Sequence, residues 1–368
     1  MVFKYICSLV ILITSYITYV VVNQLDLTKE LVLKNNKNCE KLAIPMATED
    51  LAVFGDFIIG ATFDSVPAFH KHFKASSCRP GSLISINLKT KSVVPIPTHG
   101  FPAEFQLNAH GIKIFNNNTL YVISHGYAKG GERIHLFDLN IVEGEIHATF
   151  KESYYFEGDY GMYNSIALID EKHFFLTQWT PFADTEAGRD QSFWVGLSWL
   201  YLSLFRYEAR LKFCRVLENA QVKCENKAEG KLSNGLFYEN NLLFMSDSHD
   251  KSLSIFKVKE NYELELIERL NIGYVTDNIY GKNGQVFVAS IGSIWDLMQY
   301  GGAVSEDKVP ITVPGGVTKV FLKDGKWTSE TLIMQNDLSL TTSVVVTDKI
   351  VISSVHDPFV LICPNIVN

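Results

Sequence analysis

Residues 234–248 read NGLFYENNLLFMSDS. A polar pair opens a short apolar run, and a second strand-like run follows within about ten residues. The same pattern returns as EDLAVFGDFIIGATF from Glu49-Asp50, HGIKIFNNNTLYVIS from His110-Gly111, NSIALIDEKHFFLTQ from Asn164-Ser165, DNIYGKNGQVFVASI from Asp277-Asn278 and TSVVVTDKIVISSVH from Thr342-Ser343. The starts lie 61, 54, 70, 43 and 65 residues apart. A repeat of this length built from strands and turns is the mark of a radial array. The sequence therefore predicts an all-β chain, a six-bladed β-propeller with an N-terminal hydrophobic helix. Innermost strands surround one axis, so residues at their starts converge. That would gather Glu49, Asp50, Asn164, Asn234, Asp277 and Asn278, all oxygen donors, with His110 among them.

Between residues 49 and 363 β signals are nearly continuous, broken by NNN, KGGE, EGD, KNG and PGG turns. LISINLKT, IHLFDLN, LSIFKV and VTKVFL read as later strands of successive blades. The 368 residues are 47% apolar and 20% charged, enough for a large core. Net charge is −7 with no basic cluster, so nucleic acid is excluded as an expected partner. No GxSxG, P-loop or GxGxxG-plus-helix supports a serine-hydrolase or nucleotide reading.

Three stretches are expected: 1–25 as a signal-anchor or signal segment, 26–48 as tether and lead-in, and 49–368 as the propeller. Lys4 precedes eighteen uncharged residues, Tyr5 to Val22, and no small-x-small cleavage site follows. Both an uncleaved anchor and a cleaved signal peptide fit. Either sends the body into the secretory pathway, lumenal, extracellular or secreted. Asn117 lies in a sequon, Asn117-Asn118-Thr119, and is the expected glycosylation site. The uncharged run 193–205, FWVGLSWLYLSLF, reads as a buried strand or as a lid lying against a membrane or over a pocket. Cys39 and Cys363 bracket the repeats, and a bridge between them would close the ring. Cys214 and Cys224 could cross-link a hairpin or remain thiols. Cys78 has no evident partner.

Calcium takes six to eight oxygen ligands and accepts amide oxygens beside carboxylates. Glu49, Asn164, Asn234, Asp277 and Asn278 offer two charges and three amides, leaving room for a water or a substrate oxygen. No Cys/His set has zinc spacing. His110 opens the second repeat and His125 ends its next strand. Paired antiparallel strands bring such positions together at one end, where one imidazole could act as general base and the other orient it.

These residues resemble the paraoxonase/arylesterase family of calcium-dependent lactonases. The match runs from Cys39 through Glu49-Asp50, NAHGI at 108–112, His125, Asn164, Asn234-Gly235 and Asp277-Asn278 to Cys363. The resemblance implies a six-bladed propeller, an uncleaved hydrophobic N-terminus and a ring-closing disulfide. It implies a catalytic calcium on Glu49, Asn164, Asn234, Asp277 and Asn278, and a second, structural calcium on Asp50 and the carbonyl of Ile112. His110 and His125 would be the catalytic pair, and GLSWLY at 196–201 would lie near the pocket mouth and lipid.

Three positions depart from the family pattern. Ser165 replaces an aspartate of the structural ion, so that ion should be weaker or absent. Gln178-Trp179-Thr180 replaces Asn-Asp-His, and Ser290 replaces a buried cysteine. The expected activity is hydrolysis of small apolar lactones and aryl or alkyl esters. The rivals are a non-catalytic, calcium-stabilised binding module and a strictosidine-synthase-like propeller.

Overall fold

The computed structural model describes residues 25–34, 38–64, 79–126, 130–157, 161–180, 209–305 and 312–366, with scattered positions between 8 and 23. Residues 193–205, Cys7 and Cys78 lie outside the described residues, as does most of the segment 1–25. The scattered described positions between 8 and 23 are helical, and the bounds of the expected N-terminal hydrophobic helix lie outside the described residues. Among the described residues, no helix is long and apolar enough to cross a membrane.

The chain runs through β1 (Glu40–Ala43), β2 (Thr48–Phe54), β3 (Phe57–Thr62), β4 (Ser82–Asn87) and β5 (Ser92–Pro95). It continues through β6 (Thr98–His99), β7 (Ala109–Phe115), β8 (Thr119–Gly126), β9 (Gly131–Val142) and β10 (Glu145–Phe156). Next come β11 (Met162–Leu168), β12 (His173–Thr180), β13 (Ala209–Val216), β14 (Gln221–Gly230), β15 (Ser233–Glu239), β16 (Leu242–Asp247), β17 (Ser252–Val258) and β18 (Leu264–Asn271). Then follow β19 (Val275–Lys282), β20 (Gln285–Ile291), the helix α1 (Ile294–Ser305), β21 (Gly315–Lys323) and β22 (Lys326–Gln335). The last strands are β23 (Thr341–Val346), β24 (Lys349–Ser354) and β25 (Phe359–Pro364).

The fold is an all-β propeller. Strands β2–β5, β15–β18, β19–β22 and β23-β24-β25-β1 each form a four-stranded sheet. The expectation of six separate blades is corrected by the second and third repeats. Their meanders, β7–β10 and β11–β14, run together with β6 in one nine-stranded sheet. The join is made by β10, the outer strand of its meander: at its far end Tyr155-Phe156 pair in parallel with Gln221-Val222 of β14, on the edge opposite β9. The innermost strands close a circle. β2 packs on β7, β7 on β11, β11 on β15, β15 on β19, β19 on β23, and β23 on β2.

Alternation along each strand sends apolar side chains between neighbouring sheets. Ile59, Leu83, Ile112 and Phe137 fill one such layer, and Phe287, Val317, Val344 and Ile352 another. The lead-in supplies β1, which pairs Glu40 with Ile362 and completes the last sheet. The flanking Cys39 and Cys363 are joined by a disulfide across 324 residues. In the chain-entropy account so long a loop adds about 5–6 kcal/mol, an upper figure. Cys214 and Cys224 face each other across β13 and β14 and are also bridged.

Candidate metal centre and histidine pair

Every innermost strand breaks register at its polar pair. The irregularities fall between Thr48 and Asp50, Ala109 and Ile112, Tyr163 and Ile166, Ser233 and Leu236, Thr276 and Ile279, and Thr341 and Ser343. An irregularity of this kind re-aims side chains and leaves backbone groups outside the ladder. Two glycines let the strands close in at these points. A side chain at Gly111 would begin 2.1 Å from the Asn164 carbonyl oxygen, and one at Gly235 would begin 2.7 Å from that of Asp277. The repeat motif is therefore a repeated bulge that faces the axis.

Five of the predicted donors meet in one linked group. Asn164 Nδ2 donates to His110 Nε2 at 3.0 Å, and that nitrogen lies 3.4 Å from Glu49 Oε1. Asn278 Nδ2 donates to Glu49 Oε1 at 3.1 Å and to the Glu49 carbonyl at 3.3 Å. Asn234 Nδ2 donates to Ser248 Oγ at 3.2 Å, and its side chain also bonds Asp277. The amide nitrogens are thus engaged while the oxygens are left bare. Glu49 Oε2, Asn164 Oδ1, Asn234 Oδ1, Asp277 Oδ1 and Asn278 Oδ1 are all buried without a hydrogen-bond partner. Buried polar atoms are rarely left so, since each unmade bond costs about 1–3 kcal/mol. Burial, then the nearby carboxylates of Asp277 and Asp50, push the Glu49 carboxyl well above the usual carboxylate range. Burial, with Asp50 adding, does the same to Asp277. Five orphaned oxygens around two uphill carboxylates make an oxygen-only donor set, the chemistry that suits a hard cation. Among the described residues no three His, Cys, Asp or Glu side chains form a metal-type group, so amides carry much of this set.

The second predicted ion meets different surroundings. Both oxygens of Asp50 are already engaged. Oδ1 accepts from Leu51 N–H at 2.9 Å and from the Ser343 hydroxyl at 2.7 Å, and Oδ2 accepts from Ile112 N–H at 2.9 Å. Ile112 thus turns its N–H, rather than its carbonyl, toward Asp50. Ser165 Oγ accepts from Leu236 N–H at 3.1 Å. These residues do not fit a second ion; hydrogen bonds between adjacent inner strands fill its place.

His110 and His125 come together as the spacing predicts, with ring centroids 4.5 Å apart and planes tilted by 54°. Burial, reinforced by the neighbouring His125, holds the His110 imidazole well below the ordinary histidine value, so it is neutral. One neighbour escaped the sequence reading. Glu132 faces His125 directly across β8 and β9, with its two oxygens 2.8 and 3.0 Å from Nδ1. An H-x(6)-E spacing across the KGG turn was the available signal. Of the departures from the family pattern, Ser290 is buried and bonds Thr318 Oγ1 at 3.0 Å. Asn117 stands exposed in the β7–β8 turn at φ 67°.

No protein-family profile matches the chain, and no curated protein sequence matches it. Solved structures do resemble it. A protein provisionally named gluconolactonase superposes with a TM-score of 0.53 at 12% identity, over 91% of this chain and 98% of its own. Virginiamycin B lyase from Staphylococcus aureus gives 0.44 at 8% identity, over 88% and 98%. A protein provisionally named 6-phosphogluconolactonase, from Bacteroides uniformis, gives 0.42 at 8% identity, over 76% and 87%. At such identities the first of these likenesses establishes the fold and nothing finer. The class defined by fold and site is an all-β propeller with an axial cluster of oxygen donors beside a histidine pair. The two disulfides among the described residues suit an oxidising, secretory or extracellular setting.

Proposed function

We propose that the chain is a calcium-dependent hydrolase of lactones and of aryl or alkyl esters, akin to the paraoxonase/arylesterase family. In this reading the nine-stranded sheet counts as two blades joined at their outer edges, making six. The observation that carries the proposal is the set of five orphaned oxygens beside a neutral His110. Glu49, Asn164, Asn234, Asp277 and Asn278 would hold one calcium ion; Asp50 and Ile112 are already bonded to each other. When bound, calcium polarises a carbonyl and stabilises negative charge on its oxygen. Asn164 orients the His110 ring by donating to Nε2, which leaves that nitrogen unprotonated. For His110 to take a proton from water at Nε2, the nitrogen that fronts the donor set, the water would have to displace the Asn164 amide from that lone pair; His125 packs behind the ring. The secretory setting extends the proposal outside the site. Asn117 would carry a glycan, residues 1–25 would tether the body to a membrane, and 193–205 would be a second lipid contact.

The test is a hydrolysis screen of aliphatic lactones and aryl esters on calcium-loaded and chelator-treated protein, with melting curves alongside. Chelation should abolish turnover and lower the melting temperature, since a ligand bound only to the folded state stabilises it. His110→Gln should lose about 10²–10⁴ in rate while keeping the calcium-loaded melting temperature. No turnover on any substrate would mark the propeller as a calcium-stabilised binding module. Chelation without effect on melting or turnover would remove the ion itself.

A further inference from the structure

We infer that Glu132 is a positioning residue that fixes one tautomer of His125 and extends the histidine pair into a three-member Glu132–His125–His110 series. The inference rests on the hydrolase reading for its kinetic consequence and on geometry alone for the tautomer.

The geometry begins with strand register. His125 and Glu132 are directly opposed in the β8–β9 ladder, one pair before Gly126 and Gly131 end it. Side chains of opposed residues lie on the same face, so the contact follows from the hairpin itself. His125 is 1% exposed, and the Glu132 side chain is 11% exposed. This is not a surface ion pair of marginal worth, because nearly all water is removed from the imidazole. The backbone of His125 is held as well. Its N–H donates to the Asn108 carbonyl at 3.1 Å, and its carbonyl accepts from Asn108 Nδ2 at 2.8 Å. Asn108 N–H in turn bonds Ser124 Oγ at 3.0 Å. With the backbone clamped and the ring packed 4.5 Å from that of His110, rotation of the imidazole is the remaining freedom.

Glu132 removes that freedom. An ionised carboxylate only accepts, so Nδ1 carries the hydrogen and Nε2 is left as the basic nitrogen. A carboxylate that orients an imidazole in this way also stabilises its protonated form once a proton arrives, the logic of the acid–histidine pairs of hydrolytic triads. Arg133, the next residue, alternates to the other face, bonds the Gly130 carbonyl at 2.8 Å and lies over the Phe105 ring. It steadies the hairpin rather than neutralising Glu132.

The experiment combines Glu132→Gln, Glu132→Asp, His125→Gln and the Glu132→Gln/His125→Gln double variant, all calcium-loaded. Glu132→Gln should lower kcat about 10–100-fold, the usual effect of losing the partner that orients a functional imidazole, with KM and calcium affinity within about twofold. Glu132→Asp should recover part of that loss. In the double variant the Glu132→Gln change should add nothing, because its effect passes through His125. Side-chain ¹⁵N spectra, assigned with His125→Gln, should place the His125 proton on Nδ1 in the native protein and lose that preference in Glu132→Gln. Full kcat in Glu132→Gln, or an additive loss in the double variant, overturns the positioning role. An Nε2–H tautomer in the native protein overturns it without any substrate. Absence of turnover in the native protein would overturn the hydrolase reading instead, and the tautomer would still decide Glu132.

Discussion

Glu49 and Asp50 are consecutive carboxylates on one strand, 2% and 1% exposed, and their surroundings are opposite. Glu49 has one donor, Asn278 Nδ2 on Oε1, but its Oε2 is orphaned, and the charges of Asp277 and Asp50 add to the burial that lifts its proton affinity. Asp50 faces donors, two backbone N–H groups and a hydroxyl, that satisfy both of its oxygens. One residue of displacement within a bulge separates a carboxylate with an unpartnered oxygen from one whose two oxygens are both hydrogen-bonded. Burial of acid groups is therefore a poor guide to metal binding, whereas the balance of donors and acceptors around each oxygen is a good one.

The sharpest way to break this comparison is to neutralise the first carboxylate. Glu49→Gln should cost about 10²–10³ in lactone turnover, the scale of losing one electrostatic stabiliser of a developing oxyanion. It should also remove the rise in melting temperature that calcium gives. In metal-free protein at neutral pH the same change should stabilise, because an uphill buried charge is gone. A Glu49→Gln protein that is destabilised without metal would mean that Glu49 is an ordinary structural acid.

Neutralising the second carboxylate should do the reverse. Asp50→Asn keeps one acceptor oxygen but turns an amide toward a backbone or hydroxyl donor. The expected loss is about 2–4 kcal/mol, from breaking charge-assisted bonds and leaving a buried donor unpaired. Urea unfolding should give the same loss with calcium and with chelator. A loss confined to calcium-loaded protein would restore Asp50 as an ion ligand.

Much of this contrast was open to reading beforehand, and the part that was not has a specific cause. The repeated polar pair located every inner strand, because the bulge needs residues that can leave the ladder and still find partners. The five donors and both histidines followed from that. Ser165 already pointed to a weaker second ion. What sequence could not give was the saturation of Asp50, since its partners Ser343 and Ile112 lie 293 and 62 residues away and meet it only through ring closure. Glu132 was hidden for another reason. The pairing is short-range, but it depends on hairpin register, which a one-residue slip would reverse. The joined second and third blades depend on how far β10 extends, and a run of β-forming residues does not announce where pairing stops.

The smallest expected effect is a pH trend set by the raised carboxyls of Glu49 and Asp277. Glu49 and Asp277 have folded-state values raised above the ordinary 4.5 and 3.8. Such groups favour the folded state when protonated. Their contribution is fully present below the ordinary values and is lost as pH rises through the raised ones. Metal-free protein should therefore lose stability, relative to the calcium form, as pH increases across that interval. A calcium-bound form would hold both groups ionised and would have to release the ion for them to take up protons. The gap in melting temperature between calcium-loaded and dialysed, metal-free protein should narrow by a few degrees as pH falls from about 8 to about 5.5. Glu49→Gln should flatten the trend, and Asp50→Asn should weaken it only in part, because the Asp50 charge adds to burial in raising both groups. A gap that widens toward acid would mean that the orphaned oxygens are not where calcium binds.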